Sequence, residues 1–321
     1  MKMKGGDAFV KLLKAFGVSH VFGIPGDSLG FYDALFREDS IRHVLVRHEQ
    51  AAAHMADAFA RVSGRVGVCD ASSGPGVTNL VTGLATAYAD SVPVLAVATT
   101  SPTKIRNRDN FQELDQPALL QTVTKAVIQI DQPERIPDLV KRAFRIATTG
   151  RPGPVVLNVP LDVFLRSAEY GDDDFLCSPE FGRYPALRVR AEAKEANIVL
   201  DALRKAHKPV IWCGGGVITS GASAEVEAFA ELTGIPVTTT YMGKGAIAET
   251  HPLSLGPAGQ LGRPVTNQYL ADVDFVLAIG SRFTNVDTAN WTIPKRGTPM
   301  IQIDIDPVEI GKNYDVIHSV W

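Results

Sequence analysis

The chain has 321 residues, 45% of them hydrophobic, with a formal net charge of −3, which suggests about two domains with true apolar cores and argues against disorder. No basic run points to nucleic acid, no apolar run approaches a membrane span, and the lysine-studded N-terminus is not a signal peptide. Three well-separated cysteines, Cys69, Cys177 and Cys213, form no metal-ligand pair and suit a reducing cytoplasm; Cys69 and Cys213 sit in strand-like runs as inert buried thiols.

In chain order, Phe9, Val10, Leu12, Leu13 and Phe16 share one face of a helix over residues 7–17. Residues 20–24 read as a strand, stopped by Pro25-Gly26-Asp27, and a helix runs through 31–36. The strand Val44-Leu45-Val46 ends at His48-Glu49, and an alanine-rich helix over 51–62 closes at Ser63-Gly64. A strand at 66–69 leads into Ser72-Ser73-Gly74-Pro75-Gly76 and a helix from about Val77. Residues 93–99 form an apolar strand, and 151–160 hold what looks like the last strand of this half. The aperiodic, acidic stretch 166–190 reads as a linker. A second series comes after it: helices at 191–206 and 223–232, and strands at 209–213, 236–240, 275–279 and 300–305. Apolar strands alternating with helices predict an α/β fold of two doubly wound parallel-sheet domains, 1–165 and 191–321, joined by that linker.

Glu49 falls just past the end of a parallel strand, where α/β sheets build their sites. Its apolar flanks, Val44-Leu45-Val46 and Ala51-Ala52-Ala53, predict a carboxyl whose desolvation suits it to acid–base work. An acid at the start of the following helix is the commoner use of such a position, and position alone leaves both roles open. Gly74 and Gly76 bring backbone close to a ligand or mark a plain helix start; no Lys-Ser or Lys-Thr comes next, which excludes a Walker loop. Gly214-Gly215-Gly216 after a strand suits a pyrophosphate, with Arg282 to pair with it. Taken alone, these glycine loops equally fit a non-catalytic nucleotide-binding module.

Several segments, in order, resemble thiamine-diphosphate enzymes of the acetolactate synthase type. They are Phe22-Gly23-Ile24-Pro25-Gly26, Arg47-His48-Glu49-Gln50-Ala51-Ala52, the run from Ser72 to Asn79, Asn110-Phe111-Gln112-Glu113, and Gly150-Arg151-Pro152-Gly153-Pro154. In the second half, Thr238-Thr239-Thr240-Tyr241-Met242-Gly243, Gly280-Ser281-Arg282-Phe283 and Ile303-Asp304-Ile305-Asp306-Pro307 continue it. The resemblance implies a pyrimidine-binding domain at 1–165 and a Rossmann-like middle domain at 191–321. It implies decarboxylation and carboligation of a 2-keto acid, with a 2-keto acid decarboxylase or C–C lyase as the alternative. Glu49 is then the catalytic acid that hydrogen-bonds N1′ of the aminopyrimidine, and Phe111 and Gln112 line the substrate side. Pro25, Gly26, Ser73, Pro75 and Asn79 surround the pyrimidine; Gly214, Gly215, Gly216, Arg282 and Asp304 mark the middle-domain nucleotide site.

Two departures bear on cofactors. The family's Gly-Asp-Gly motif, which holds Mg²⁺ against the diphosphate, has no counterpart here. The C-terminal diphosphate-binding domain is therefore expected to be absent, no metal ligand is assigned in this chain, and the chain is expected to be a fragment or one subunit. The resemblance implies a cytoplasmic homodimer or homotetramer, or a partner chain carrying the missing domain. In the middle domain, Thr284-Asn285-Val286-Asp287 and Gln260-Leu261-Gly262 replace segments of the FAD-binding members, which leaves FAD open.

Overall fold

Strands buried on both faces need helices above and below them, and the chain supplies both in alternation. A computed structural model describes residues 1–321 and divides them into two units, Met1–Leu187 and Arg188–Trp321.

The first unit runs β1 (Lys2–Lys4), α1 (Gly5–Ala15), β2 (His20–Gly23), α2 (Leu29–Phe36), β3 (Arg42–Leu45), α3 (Glu49–Ser63), β4 (Gly67–Ala71), α4 (Pro75–Ala89), β5 (Val94–Thr100), α5 (Gln116–Leu120), β6 (Ala126–Gln129), α6 (Ile136–Thr148), β7 (Val155–Pro160), α7 (Leu161–Leu165) and β8 (Ser167–Glu169). Six strands form a parallel sheet in the order β3-β2-β4-β5-β7-β6, and β1 pairs with β8 in a small antiparallel ribbon. Every residue of β4 and β5 is buried, as their apolar runs require. On one face of the sheet Phe9 meets Phe31 and Phe164 edge-on at 5.6 and 5.5 Å, contacts worth about 0.5–1.5 kcal/mol each beyond area burial. On the other face the alanines of α3 meet Leu80 and Leu84 of α4. The edge strand β6 has no counterpart among the expected strands; it is short and only Ile128 of it is buried.

Residues 166–187, read from sequence as linker, run back over this first unit. Tyr170 is buried and its hydroxyl donates to the Pro133 carbonyl at 2.7 Å; the Tyr184 hydroxyl donates to the Ala60 carbonyl at 2.9 Å. Backbone pairing of β8 with β1 and these two tyrosine hydroxyls hold the stretch against the first unit.

The second unit runs α8 (Ala193–Lys205), β9 (Pro209–Cys213), α9 (Gly215–Ser220), α10 (Ser223–Thr233), β10 (Val237–Thr239), β11 (Ser254–Pro257), α11 (Pro264–Leu270), β12 (Phe275–Ile279), β13 (Met300–Ile303) and β14 (His318–Val320). Its six strands are parallel in the order β11-β10-β9-β12-β13-β14. A reciprocal capping box of Glu192 and Glu195 starts α8. Cys69 and Cys213 are buried thiols, and burial pushes Cys213 up to about 12. No helix is long and apolar enough to cross a membrane.

The contact of α3 with α4 tolerates only small residues: a Cβ added at Gly83 would lie 2.4 Å from the Cβ of Ala53. Gly83→Val is expected to cost about 1–3 kcal/mol through overpacking, read as a lower urea midpoint of the purified protein. An unchanged midpoint would mean that the two helices are not in such close contact.

Candidate functional site

The chain leaves β2 for β3 on one side and returns to β4 on the other, so the topological switch point of the first unit lies between β2 and β4. Ligands of open α/β sheets bind outside the carboxyl ends of strands at such a point. The loops after β2 and β4 carry Pro25-Gly26-Asp27 and Ser72-Ser73-Gly74, and the helix after β3 opens on Glu49.

Glu49 is the first helical residue of α3. The cap is His48, whose Nδ1 accepts the Gln50 N–H at 3.2 Å. The Glu49 carboxylate is thus not occupied in capping its own helix. Its Oε2 accepts from the Asn79 side-chain amide of α4 at 2.9 Å, and a Cβ at Gly76 would lie 3.2 Å from its Oε1. Glycine at that position lets the carboxylate rest against the first turn of α4, where the helix dipole favours negative charge. The apolar residues that flank Glu49 in sequence turn elsewhere: Ala52 and Ala53 are fully buried, while Glu49 and Asn79 are half-buried. Asn79 leaves Oε1 without a protein hydrogen bond, so one carboxylate oxygen remains available to a ligand N–H.

Two side chains that sequence reasoning did not single out tie these loops together. Asp27 accepts the Thr99 hydroxyl at 2.8 Å and the Ser73 N–H at 3.3 Å, while its own N–H reaches Ser72 Oγ at 3.3 Å. Gly26 permits this approach, since a Cβ there would lie 1.8 Å from Ser72 Oγ. Gln116, fully buried, accepts the Gly74 N–H at 2.9 Å and donates to the Thr99 carbonyl at 2.9 Å and to Asn158 Oδ1 at 2.6 Å. Gln116 gave no sequence signal, because its role depends on strands distant along the chain.

Of the residues assigned to the pyrimidine side, Ser73 is buried behind this clasp, Pro75 opens α4 and is exposed, and Pro25 and Gly26 form the exposed tip of the loop after β2. Gln112 stands in the left-handed region (φ 61°), and its carbonyl lies where a Cβ on Gly74 would approach to 2.2 Å. Its backbone is therefore brought to the site, whereas the Phe111 side chain is 83% exposed and is not gathered in. Glu113 shapes this loop by accepting the Asn107 N–H at 2.9 Å.

Behind β2 and β3 lies a third feature that sequence reasoning missed, although an acid inside the apolar run Val66-Gly67-Val68-Cys69-Asp70-Ala71 was its signal. Asp70 is 1% exposed and accepts the Tyr32 hydroxyl. Its other oxygen is 3.7 Å from His43 Nε2, too far for a hydrogen bond, and neither atom has one. Gly23 leaves room for it; a Cβ there would lie 1.9 Å from Oδ1. Burial pushes the Asp70 carboxyl up; His43 and Tyr32 oppose that, and the charge of Glu49 adds to it. Burial, then the charge of Asp70, push the Tyr32 phenol up.

In the second unit Gly214, Gly215 and Gly216 come after β9 and Arg282 after β12, at that sheet's own switch point. Asp304 comes after β13, and its Oδ1 accepts the Asp306 N–H at 2.9 Å.

Two family models match the chain: the N-terminal TPP binding domain of thiamine pyrophosphate enzymes over residues 3–119, and their central domain over residues 196–321. The chain is 47% identical over 316 residues to a protein of Methanocaldococcus jannaschii named probable acetolactate synthase large subunit, covering 97% of this chain and 52% of that one. It is 43% identical to an acetolactate synthase of Arthrospira platensis, over 97% of this chain and 55% of the relative. It is 42% identical to the acetolactate synthase large subunit of Corynebacterium glutamicum, over 97% and 49%. The chain thus spans about half the length of the curated relatives it matches.

The buried Asp70 gives a pH prediction. Its proton affinity is higher folded than unfolded, so its contribution to stability is whole below the ordinary carboxylate pKa of about 4. That contribution is lost as pH rises through the raised folded value. Asp70→Asn cannot ionise yet keeps an acceptor for Tyr32. The variant is expected to have a flatter dependence of Tm on pH between about 4 and 8, and a Tm about 2–4 °C higher at the upper end. Parallel Tm curves for the two proteins would show that no charge is being buried at Asp70.

Proposed function

The chain belongs to the thiamine pyrophosphate enzyme family, and from that premise we propose that it forms the pyrimidine-binding and central domains of an acetolactate-synthase-like enzyme acting on a 2-keto acid. The observation that carries the reading is the Glu49 carboxylate at the carboxyl end of β3, held on one oxygen by Asn79 and open on the other. Thiamine diphosphate, when bound, supplies the electron sink that lets a bond beside the 2-keto carbonyl break or form.

The chain's own residues have narrower tasks. Glu49 holds a proton at N1′ of the aminopyrimidine, and Asn79 keeps its carboxylate turned toward that nitrogen. Pro25, Gly26 and Pro75 wall the ring, and Ser73 backs them from the buried side. Asp27 and Gln116 keep those walls in register, which matters because acid–base catalysis depends on placement within hydrogen-bond reach. Phe111 and Gln112 border the substrate side, and the exposure of Phe111 leaves it free to cover a bound substrate.

The chain contains no Gly-Asp-Gly run. The oxygen ligands of Mg²⁺ and the diphosphate are therefore assigned to a diphosphate-binding domain, in the same polypeptide outside residues 1–321 or in a partner chain. The assembly proposed is a cytoplasmic homodimer or homotetramer, with or without such a partner.

In the full-length protein, Glu49→Gln is expected to lower kcat for acetolactate formation from pyruvate by roughly a hundredfold or more, with the thermal unfolding curve unchanged. Turnover retained at the parental rate would remove Glu49 from the chemistry. Release of acetaldehyde instead of acetolactate by the unsubstituted protein would mark it as a decarboxylase.

A further inference from the structure

The second unit has its switch point between β9 and β12, with β10 and β11 to one side and β13 and β14 to the other. A dinucleotide would lay its pyrophosphate in the crevice there, against the amides of a glycine-rich turn. The sequence offers Gly214-Gly215-Gly216 and Arg282 for that purpose. In the structure these glycines meet the protein itself. The Gly214 N–H donates to the Ile279 carbonyl at 2.9 Å and the Gly216 N–H to the Gly280 carbonyl at 3.0 Å. A Cβ at Gly214 would lie 2.1 Å from the Gly280 carbonyl oxygen, and a Cβ at Gly280 (φ +59°) 2.5 Å from the Gly216 Cα. The two loops touch backbone to backbone, and two of the three glycine amides, those of Gly214 and Gly216, are already donating.

The rim above is joined in the same manner. Asp287 stands in the segment that departs from the FAD-binding members. It accepts the Tyr241 N–H at 3.1 Å and the Thr284 hydroxyl at 2.6 Å. The Gln260 N–H donates to the Val286 carbonyl at 2.7 Å, and a Cβ at Gly259 would lie 2.0 Å from that same oxygen. The loops after β10, β11 and β12 are therefore held to one another across the carboxyl edge of the sheet. Within the loop after β12 the Trp291 indole donates to the Phe283 carbonyl at 2.9 Å, and Asn313, after β13, donates to the Arg282 carbonyl at 2.8 Å.

We infer that the second unit holds no flavin or other dinucleotide at its switch point: its glycines serve loop-to-loop contact, and the residues present do not fit FAD. Seating a pyrophosphate there would require the loops after β9 and β12 to part and two backbone donors to exchange partners. The central domain then acts as a self-closed scaffold, and the chemistry of the whole enzyme proceeds without added flavin.

The test uses the full-length protein. It is denatured, and the released small molecules are quantified for both FAD and thiamine diphosphate; the native protein is then titrated with FAD while Tm is monitored. The expected result is FAD far below one per chain, a Tm indifferent to FAD, and turnover that does not rise when FAD is supplied. FAD near one per chain, or a saturable rise of Tm with FAD, would overturn the inference, because a ligand bound only by the folded state must stabilise it. Thiamine diphosphate in the same extract reports separately on the proposed function. Gly280→Ala supplies a second arm: it is expected to lower Tm equally with and without FAD. A variant that keeps its Tm but loses bound FAD would show that the glycine faces a ligand.

Discussion

The closeness of α3 to α4 is the constraint on which the site depends. Alanines at 52, 53, 56 and 60 line the buried face of α3, and Gly83 and Gly67 meet them from α4 and β4. At Gly67 a Cβ would lie 2.0 Å from the Ala56 carbonyl oxygen, so even the strand beneath α3 is held at backbone distance. With bulkier residues helices pack roughly 8–10 Å apart, according to the side chains at the contact. Here the seam is as thin as side chains allow, and it brings the first turn of α3 beside the first turns of α4. That seam brings Asn79 and Glu49 within the 2.9 Å of their hydrogen bond.

A thin apolar seam positions helices but not the loops at the strand ends, whose polar backbone must find partners once buried. Asp27 and Gln116 meet that need. Gln116 alone joins the loop after β4, the end of β5 and Asn158 of β7, and Asn158 passes the connection to Gln129 of β6 at 2.7 Å. Each member is satisfied, and a fully satisfied buried network makes a region rigid and unique. Such rigidity suits the role proposed for Glu49, since small displacements of an acid–base group are costly. The Tyr32–Asp70–His43 group on the other face of the sheet differs. Two of its polar atoms lack hydrogen bonds, and burial raises the proton affinity of its acid.

Period and punctuation made the central elements legible in the sequence. Apolar runs marked the inner strands, including β4 and β5, because strands buried on both faces have no polar alternation to obscure them. The alanine-rich stretch before Ser63-Gly64 marked α3, whose end is a left-handed glycine at Gly64. The edge strands β6, β11 and β14 were not legible, since they are short and only partly buried and their pairing is decided by distant neighbours. The stretch 166–187 was illegible for a related reason: Tyr170 and Tyr184 find their places only on a surface already folded. Within the site, Glu49 and Asn79 could be found from motif order, whereas Asp27 and Gln116 act through contacts that no local pattern encodes.

Glycine-rich strand ends occur in both units and do opposite things. After β4, Gly74 and Gly76 give way to protein, to Gln112 in one case and to Glu49 in the other, but Glu49 keeps one carboxylate oxygen without a protein hydrogen bond. After β9, Gly214 and Gly216 also give way to protein, and there the contact takes both of their N–H donors. Glycine marks close approach, and the sequence does not say what approaches. The distinction comes from asking where each N–H and each carboxylate oxygen finds its partner. By that criterion the carboxyl edge of the first sheet keeps an acceptor for the ligand proposed there, whereas at the edge of the second the loops bond to one another.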